Sequence, residues 1–348
     1  MTKNGRWIFI FVIAIIFHNE ITGAGNYLCQ KAMKKENNKE LELKYLKRFP
    51  DEREDVNQDI FLERPADIEC DDDGNIYVSD GMANCLFKFD RSGMLIKTIG
   101  KKGQGPGELI RPNSIALGGK NIYVQDLGNS RFVVFDKNGN YVRNIKIFLP
   151  VNSIGANDDE KIYTSRMYSA FPREKDKFIN VISIQGNLLQ SFGDPLKERS
   201  DFSISNLSNI DVDHEGNVIV VYDYLPVVRK YSPFGKIILE KRISDEFIDK
   251  YDKENARTYK ESIYRAIFSD VKAVGERIFI LVSPHESVSK IYEIDSAFQI
   301  KKIYSYDFKK KQKKNYVRKF AMMEEAGRKL FYLLDLEDDA VYVFDQEY

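Results

Sequence analysis

The chain has 348 residues, with 53 lysine and arginine residues against 53 aspartate and glutamate residues, so its formal net charge is zero. This balance excludes a nucleic-acid-binding protein that relies on a strongly basic surface. A hydrophobic content of 43% is typical of a globular protein, and three cysteines are too few for a disulfide scaffold.

The N-terminus has the three parts of a secretory signal peptide. Lys3 and Arg6 form a positive region, residues 7–17 form an apolar stretch, and small residues stand at the −3 and −1 positions of a cut after residue 24. The apolar stretch is shorter than the about 20 residues that cross a bilayer. We therefore predict that residues 1–24 are removed and that the protein is extracytoplasmic, either secreted or periplasmic.

Cys29 is the residue that would carry a lipid if the protein were a lipoprotein. It follows Asn26, Tyr27 and Leu28, whereas a lipoprotein signal has small residues directly before its cysteine. The sequence therefore argues against a lipid anchor. No other stretch of the chain is apolar enough to span a bilayer.

A 46-residue repeat covers the first part of the chain after the signal peptide. Residues 64–93 align with residues 111–139, so that Tyr77 matches Tyr123. Each copy contains four short strands separated by turns with glycine and Asx residues, which supply the positive φ of tight hairpins. Four strands in about 46 residues are typical of a β-propeller blade, whereas a pair of β-sandwiches does not explain the period.

Four more divergent copies follow, so the sequence predicts an all-β fold, a six-bladed β-propeller of four-stranded antiparallel blades over residues 41–348. Residues 25–40 are then an N-terminal linker. The sixth unit ends after its third strand, and residues 41–49 supply the missing outer strand, which closes the ring and protects its edges. A helical insertion at about 244–268 connects the fourth and fifth blades, because apolar residues recur there at multiples of four.

Short motifs recur in the first two blades. They are Ile76-Tyr-Val78 with Asp80, Ile122-Tyr-Val124 with Asp126, and the glycine-rich segment 100–108 before Arg111. With these motifs the blades resemble NHL repeats, and the chain resembles the secreted six-bladed β-propeller proteins of bacteria. The resemblance is strong over residues 60–145 and weaker beyond. It implies the fold but no single activity, since propellers serve as binders, scaffolds and enzymes.

Three features that resemble functional motifs fit structural roles better. The segment 71–75 has the spacing of a calcium loop but lacks its helices and final glutamate, and similar turns recur in other blades. The segment 103–108 lacks the lysine of a phosphate-binding loop. Cys70 and Cys85 belong to strands separated by a third strand, which places them too far apart for a disulfide.

We expect the ligand site on the face where the loops between second and third strands and the connections between blades open, because these segments are long. The candidate ligand-binding residues there are Asp80, Asn84, Asp126, Asn129, Arg131, Arg166, Asp223, Tyr224, His285 and Asp335. Arg64 and Arg111 stand just before the first strands of their blades and could join the site. However, the pairs Asp80/Asp126 and Arg64/Arg111 repeat between blades, which also fits a role in fastening the blades together.

Two functions are consistent with this architecture. The favoured one is an extracytoplasmic, monomeric binding protein without catalysis or cofactor, with a protein, peptide or glycan ligand on the loop-rich face. The alternative is a metal-dependent propeller hydrolase or lyase resembling gluconolactonases, with calcium or another metal held in the channel by Asp80, Asp126, Asp223 and Asp335. No catalytic constellation or motif of that group is readable in the sequence, which favours binding.

Overall fold

The computed structural model describes residues 39–50, 61–147, 150–167, 177–197, 202–258, 264–284, 287–308 and 316–346. In this part of the chain, 24 strands form six blades of four antiparallel strands each. The first strand of each blade contacts the first strands of the two neighbouring blades, so these strands line a central channel. The predicted six-bladed β-propeller is therefore confirmed.

The blades follow one another along the chain. Blade 1 contains β2 (Pro65–Cys70), β3 (Ile76–Asp80), β4 (Cys85–Phe89) and β5 (Leu95–Ile99), and blade 2 contains β6 (Pro112–Gly118), β7 (Asn121–Asp126), β8 (Arg131–Asp136) and β9 (Tyr141–Lys146). Blade 3 contains β10 (Val151–Ala156), β11 (Lys161–Arg166), β12 (Ile179–Ser183) and β13 (Leu188–Phe192), and blade 4 contains β14 (Ser208–Val212), β15 (Val218–Tyr222), β16 (Leu225–Tyr231) and β17 (Ile237–Arg242). Blade 5 contains β18 (Phe268–Val274), β19 (Arg277–Val282), β20 (Val288–Ile294) and β21 (Ile300–Asp307), and blade 6 contains β22 (Val317–Glu325), β23 (Arg328–Asp335), β24 (Ala340–Gln346) and β1 (Lys39–Phe49).

The N-terminal strand β1 closes the ring, as the sequence predicted. From Leu43 onward it runs antiparallel to β24 and is the outer strand of blade 6, with Leu43 opposite Gln346. Its first residues run parallel to β21 instead, with Glu42 opposite Ser305. One strand thus joins blades 5 and 6 into a single eight-stranded sheet. Blades 5 and 6 are therefore held together by residues that lie far from them in the chain.

In the described residues the hydrophobic core is divided into six clusters, each between two consecutive blades. Between blades 6 and 1, for example, Tyr332 and Val341 pack with Ile68 and Val78, and all four are fully buried. Side chains of a strand alternate between its two faces, and each blade is covered on both sides by its neighbours. The middle strands are therefore almost continuously apolar, as in the all-buried strand Ile76–Asp80.

The α-helices of the described residues lie in connections between blades. A short helix α1 (Phe202–Ser205) precedes blade 4, a 3-10 helix (Leu127–Asn129) lies in blade 2, and helix α2 (Glu246–Thr258) lies within the insertion predicted at 244–268. Asp245 caps α2, since its carboxylate accepts a hydrogen bond from the backbone N–H of Ile248 at 2.8 Å. Buried Ile248 and Tyr251 pack α2 onto blades 4 and 5. Neither α1 nor α2, the α-helices of the described ranges, has the length and hydrophobicity needed to cross a membrane.

Candidate functional site

The central channel is lined by charged side chains from four of the six inner strands. Ile68, Ile210, Val271 and Phe320 on these strands point into the cores between blades and are buried. Because side chains alternate along a strand, their neighbours point into the channel. These channel residues are Asp67 and Glu69 on β2, Asp211 on β14, Asp270 and Lys272 on β18, and Lys319 on β22.

Two lysines neutralise part of this carboxylate charge. Lys319 of blade 6 donates a hydrogen bond to Asn209 Oδ1 at 2.7 Å and one to Asp270 Oδ1 at 3.2 Å, and its Nζ lies 3.8 Å from Asp67 Oδ1. Lys272 lies 2.5 Å from Glu69 and 3.6 Å from Asp270. Burial alone would lower the pKa of Lys272, but the surrounding carboxylates outweigh it and hold its pKa well above the ordinary value.

The channel carboxylates also fasten neighbouring blades. Asp67 accepts a hydrogen bond from the backbone N–H of Ile115 in the next blade at 3.0 Å, and Asp211 accepts one from Ala273 at 2.7 Å. Asp270 accepts one from the backbone N–H of the next blade's inner strand in the same way. These acids therefore have a structural role in addition to their charge.

The channel opens into a cavity of about 340 Å³ on the face that carries the short turns between first and second strands, opposite the loop-rich face. The turns between first and second strands of blades 1 to 4 form most of its wall. Its lining includes one lysine and eight carboxyl groups, namely Lys137 and Glu69, Asp71, Asp72, Asp158, Asp159, Asp211, Asp213 and Glu215. The cavity is thus a concave acidic site, and we call it the acidic mouth.

The carboxyl groups of the acidic mouth are in different environments. Asp71 and Asp213 are held in their turns, where each accepts the backbone N–H of the asparagine four residues later at 2.8 Å. Asp72 is exposed and forms no hydrogen bond or ion pair with a described residue. Burial raises the pKa of Glu69 to about 8 and that of Asp211 to about 6, although Lys272 opposes both shifts. The mouth therefore gains negative charge between pH 5 and pH 9.

On the opposite, loop-rich face, three predicted site residues are used by the fold itself. Asp80, Asp126 and Asp335 are fully buried. The carboxylate of Asp80 accepts backbone N–H groups from both its own loop and the segment entering blade 1, and Asp335 does the same in blade 6. Asp126 accepts the N–H of Ile110 at 2.7 Å. These aspartates hold loops and strands of the blades together, which for Asp80 and Asp126 is the structural alternative that their repetition suggested.

The polar residues around Asp126 fasten the glycine-rich loop. Asn129 donates hydrogen bonds to Asp126 Oδ2 at 2.7 Å and to the carbonyl of Gly103 at 3.0 Å. Arg131 pairs with Asp126 at 2.8 Å and donates to the carbonyls of Gln104, Gly105 and Glu108. Their side chains are therefore already engaged within the protein, as expected for a connection between blades rather than a phosphate-binding loop.

The remaining predicted residues lie apart from one another around the ring. Asn84 accepts the backbone N–H of Arg111 at 3.1 Å, and Arg166 ends β11 in blade 3. The ring of Tyr224 lies 5.7 Å from that of Tyr264. His285 falls outside the described residues. The ten predicted residues therefore do not form one cluster among the described part of the chain.

Asp223 connects the loop-rich face with the channel. Its Oδ1 accepts a hydrogen bond from Asn209 Nδ2 at 3.0 Å, and Asn209 in turn binds Lys319. Arg318 lies 3.5 Å from the other oxygen. Burial raises the pKa of the Asp223 carboxyl, and the nearby cations Arg318 and Lys319 oppose the shift.

The aspartates proposed as metal ligands do not fit that role. Asp80, Asp126 and Asp335 already accept several N–H groups each, and Asp223 accepts one from Asn209 and lies 3.5 Å from Arg318. Within the described ranges, no group of three or more histidine, cysteine, aspartate or glutamate side chains has an arrangement that could hold a metal ion. We therefore derive no reaction step through a metal.

Comparisons with known proteins agree on the fold. A family model described as a 6-bladed beta-propeller matches residues 56–232, and no curated protein matches the chain. A Bacteroides fragilis protein predicted to be exported is 13% identical, with a TM-score of 0.58 over 88% of this chain and 95% of that one. A DUF4221 member from Bacteroides vulgatus is also 13% identical, with a TM-score of 0.58 over 88% of this chain and 98% of that one. A streptogramin B lyase is 12% identical, with a TM-score of 0.51 over 88% of each chain. At such identities these structures show the fold alone.

Proposed function

We propose that this chain, which belongs to the DUF5128 family of 6-bladed β-propellers, is an extracytoplasmic binding protein without catalysis. The fold hosts binders as well as enzymes, so the proposal rests on the site. The location rests on the predicted signal peptide at 1–24, and a structural neighbour predicted to be exported supports it. We further propose that the protein is monomeric and needs no cofactor. We also propose, from the sequence motifs of the first two blades, that the blades are NHL-like repeats.

The observation that carries the proposal is the acidic mouth. Its volume of about 340 Å³ is at the lower end of the range of small-molecule sites, about 300–1,000 Å³. A concave wall whose charged groups are mostly of one sign concentrates the electrostatic field and attracts ions of the opposite charge. The ligand that fits best is a compact organic cation, such as a polyamine or the side chain of a lysine or arginine in a protein ligand.

Asp72 is the lining residue best suited to test this binding. It is exposed in the mouth and makes no contact on which the fold depends, so its substitution should leave the structure intact. Glu276 is a matched control, because it is exposed in a turn of blade 5 on the same face but does not line the cavity.

The experiment is calorimetric titration of the full chain with spermidine at two salt concentrations. We expect saturable binding that weakens as salt rises, a loss of about three- to tenfold in affinity for Asp72→Asn, and no change for Glu276→Gln. Equal effects of the two substitutions, or no saturable binding at low salt, would contradict the proposed site.

A further inference from the structure

Two exposed guanidinium groups on the loop-rich face take no part in holding the fold together. Arg64 and Arg111 occupy the same place in blades 1 and 2, each directly before a proline that begins an inner strand. Their backbone N–H groups are bonded, that of Arg64 to Asp80 and that of Arg111 to Asn84, both at 3.1 Å. Neither guanidinium forms a hydrogen bond or ion pair with a described residue. The fastening role suggested for these arginines therefore belongs to their backbone, and their charges are left free.

Exposed apolar side chains lie in the loops next to these arginines. Met82 is 59% exposed and Leu127 is 45% exposed, in the second-to-third-strand loops of the same two blades. The backbone N–H of Gly81 donates to the carbonyl of Arg64 at 2.9 Å, which ties the Met82 loop to the first arginine. We call the surface formed by Arg64, Met82, Arg111 and Leu127 the arginine strip.

Backbone packing holds the second half of the arginine strip together. The N–H of Gly128 donates to the carbonyl of Ile110, the residue before Arg111, at 2.8 Å. A side chain at position 128 would meet that carbonyl oxygen at 2.7 Å, so this close approach needs glycine. Arg111 itself has a φ of 54° and is therefore held in the left-handed region, which is unfavourable for a residue other than glycine. The strip is thus a preformed surface.

We propose that the arginine strip docks a polypeptide segment whose carboxylate side chains are flanked by apolar side chains. Guanidinium groups bind carboxylates through two parallel hydrogen bonds, and arginine and methionine are enriched in protein interfaces. Met82 and Leu127 provide the apolar contact beside the charge, and methionine adapts readily to different partners. An anionic glycan would use the arginines but leave Met82 and Leu127 in water, so the combination favours a polypeptide.

This inference rests on the proposed binding function but concerns the face opposite the acidic mouth, so the two can fail separately. The experiment is a selection from a random 12-residue peptide display library on the full chain, followed by fluorescence anisotropy with the enriched peptide. We expect acidic residues alternating with apolar ones. The double variant Arg64→Gln and Arg111→Gln should weaken binding at least tenfold, and Met82→Ser with Leu127→Ser should weaken it several-fold.

The control removes the same charge elsewhere. Lys120 and Lys236 are exposed in turns of the opposite face, so Lys120→Gln with Lys236→Gln should leave peptide binding unchanged. Spermidine binding should be unchanged in the variant of Arg64 and Arg111, which separates this surface from the acidic mouth. The inference is overturned if no acidic peptides are enriched, if the double arginine variant binds them equally, or if polygalacturonate binds the strip independently of Met82 and Leu127.

Discussion

Removal of the Lys319 charge tests whether the channel network stabilises the ring. Lys319→Met leaves Asp67 and Asp270 without their shared cation, although each still accepts one backbone N–H and Lys272 stays 3.6 Å from Asp270. Removing one partner of a buried ion pair lowers the free energy of unfolding by about 3–5 kcal/mol. Because the remaining contacts compensate in part, we expect a loss of about 3 kcal/mol in the free energy of unfolding at pH 8, measured by urea unfolding followed by circular dichroism.

The control for this variant is an exposed lysine–aspartate ion pair. Lys177 lies 2.8 Å from Asp194, and the side chains are 46% and 79% exposed, so Lys177→Met should cost at most about 1 kcal/mol.

The stability lost in Lys319→Met should also be smaller at pH 5 than at pH 8. Burial already raises the pKa of Asp67, and without the lysine that pKa rises further, so the folded variant takes up a proton that the unfolded chain does not. Equal losses for both lysines, or a loss independent of pH, would refute the electrostatic role of the channel.

Three further predictions concern the closure of the ring by β1, the acidic mouth and the signal peptide. Leu43→Ala should cost about 2–5 kcal/mol because Leu43 is buried between β1 and the last two blades, whereas Leu46→Ala on the exposed side of the same strand should cost under about 1 kcal/mol by the same urea assay. Spermidine affinity should rise between pH 5.5 and pH 8.5, because Glu69 and Asp211 lose protons with pKa values of about 8 and about 6. Calorimetry in buffers of different ionisation enthalpy should show that binding releases protons. An affinity independent of pH would contradict these pKa assignments. Because the pKa values of Glu69 and Asp211 are higher in the folded protein than in the unfolded chain, both carboxyl groups stabilise the folded state below about pH 4. This contribution to the free energy of unfolding is lost as the pH rises through about 6 and about 8. Mass spectrometry of the protein recovered from the envelope or medium should find a chain that begins at Gly25, and an intact N-terminus would refute the signal peptide.

The fold could be predicted from the sequence because it repeats. The 46-residue period, the Asx-glycine turns and the apolar strands all follow from local geometry, and they determine the blade. The outer strand of blade 6 could be assigned to residues 41–49 because a blade without it would leave a sheet edge exposed. The additional parallel pairing of β1 with β21 had no such signal, since it depends on how two blades meet in space.

The site was harder to predict, because sequence shows which residues are polar but not which polar groups are already bonded. Asp80 and Asp126 looked like ligand residues, yet loop N–H groups occupy their carboxylates. The channel acids and lysines were missed, although a signal was present. Charged residues such as Glu69 and Lys272 directly follow the buried apolar residues Ile68 and Val271 on first strands, and in a propeller these strands line the channel. Reading the inner strands separately would have found them.

The most direct test of the ligand site is hydrogen exchange of the full chain, measured by mass spectrometry with and without saturating spermidine. Binding in the acidic mouth predicts slower exchange in the turns 71–75, 157–160 and 213–217, each of which contributes residues to its wall. Exchange in the loops 81–84 and 127–130 on the opposite face should stay the same. Protection confined to those loops, or saturable binding without protection in the three turns, would contradict the account.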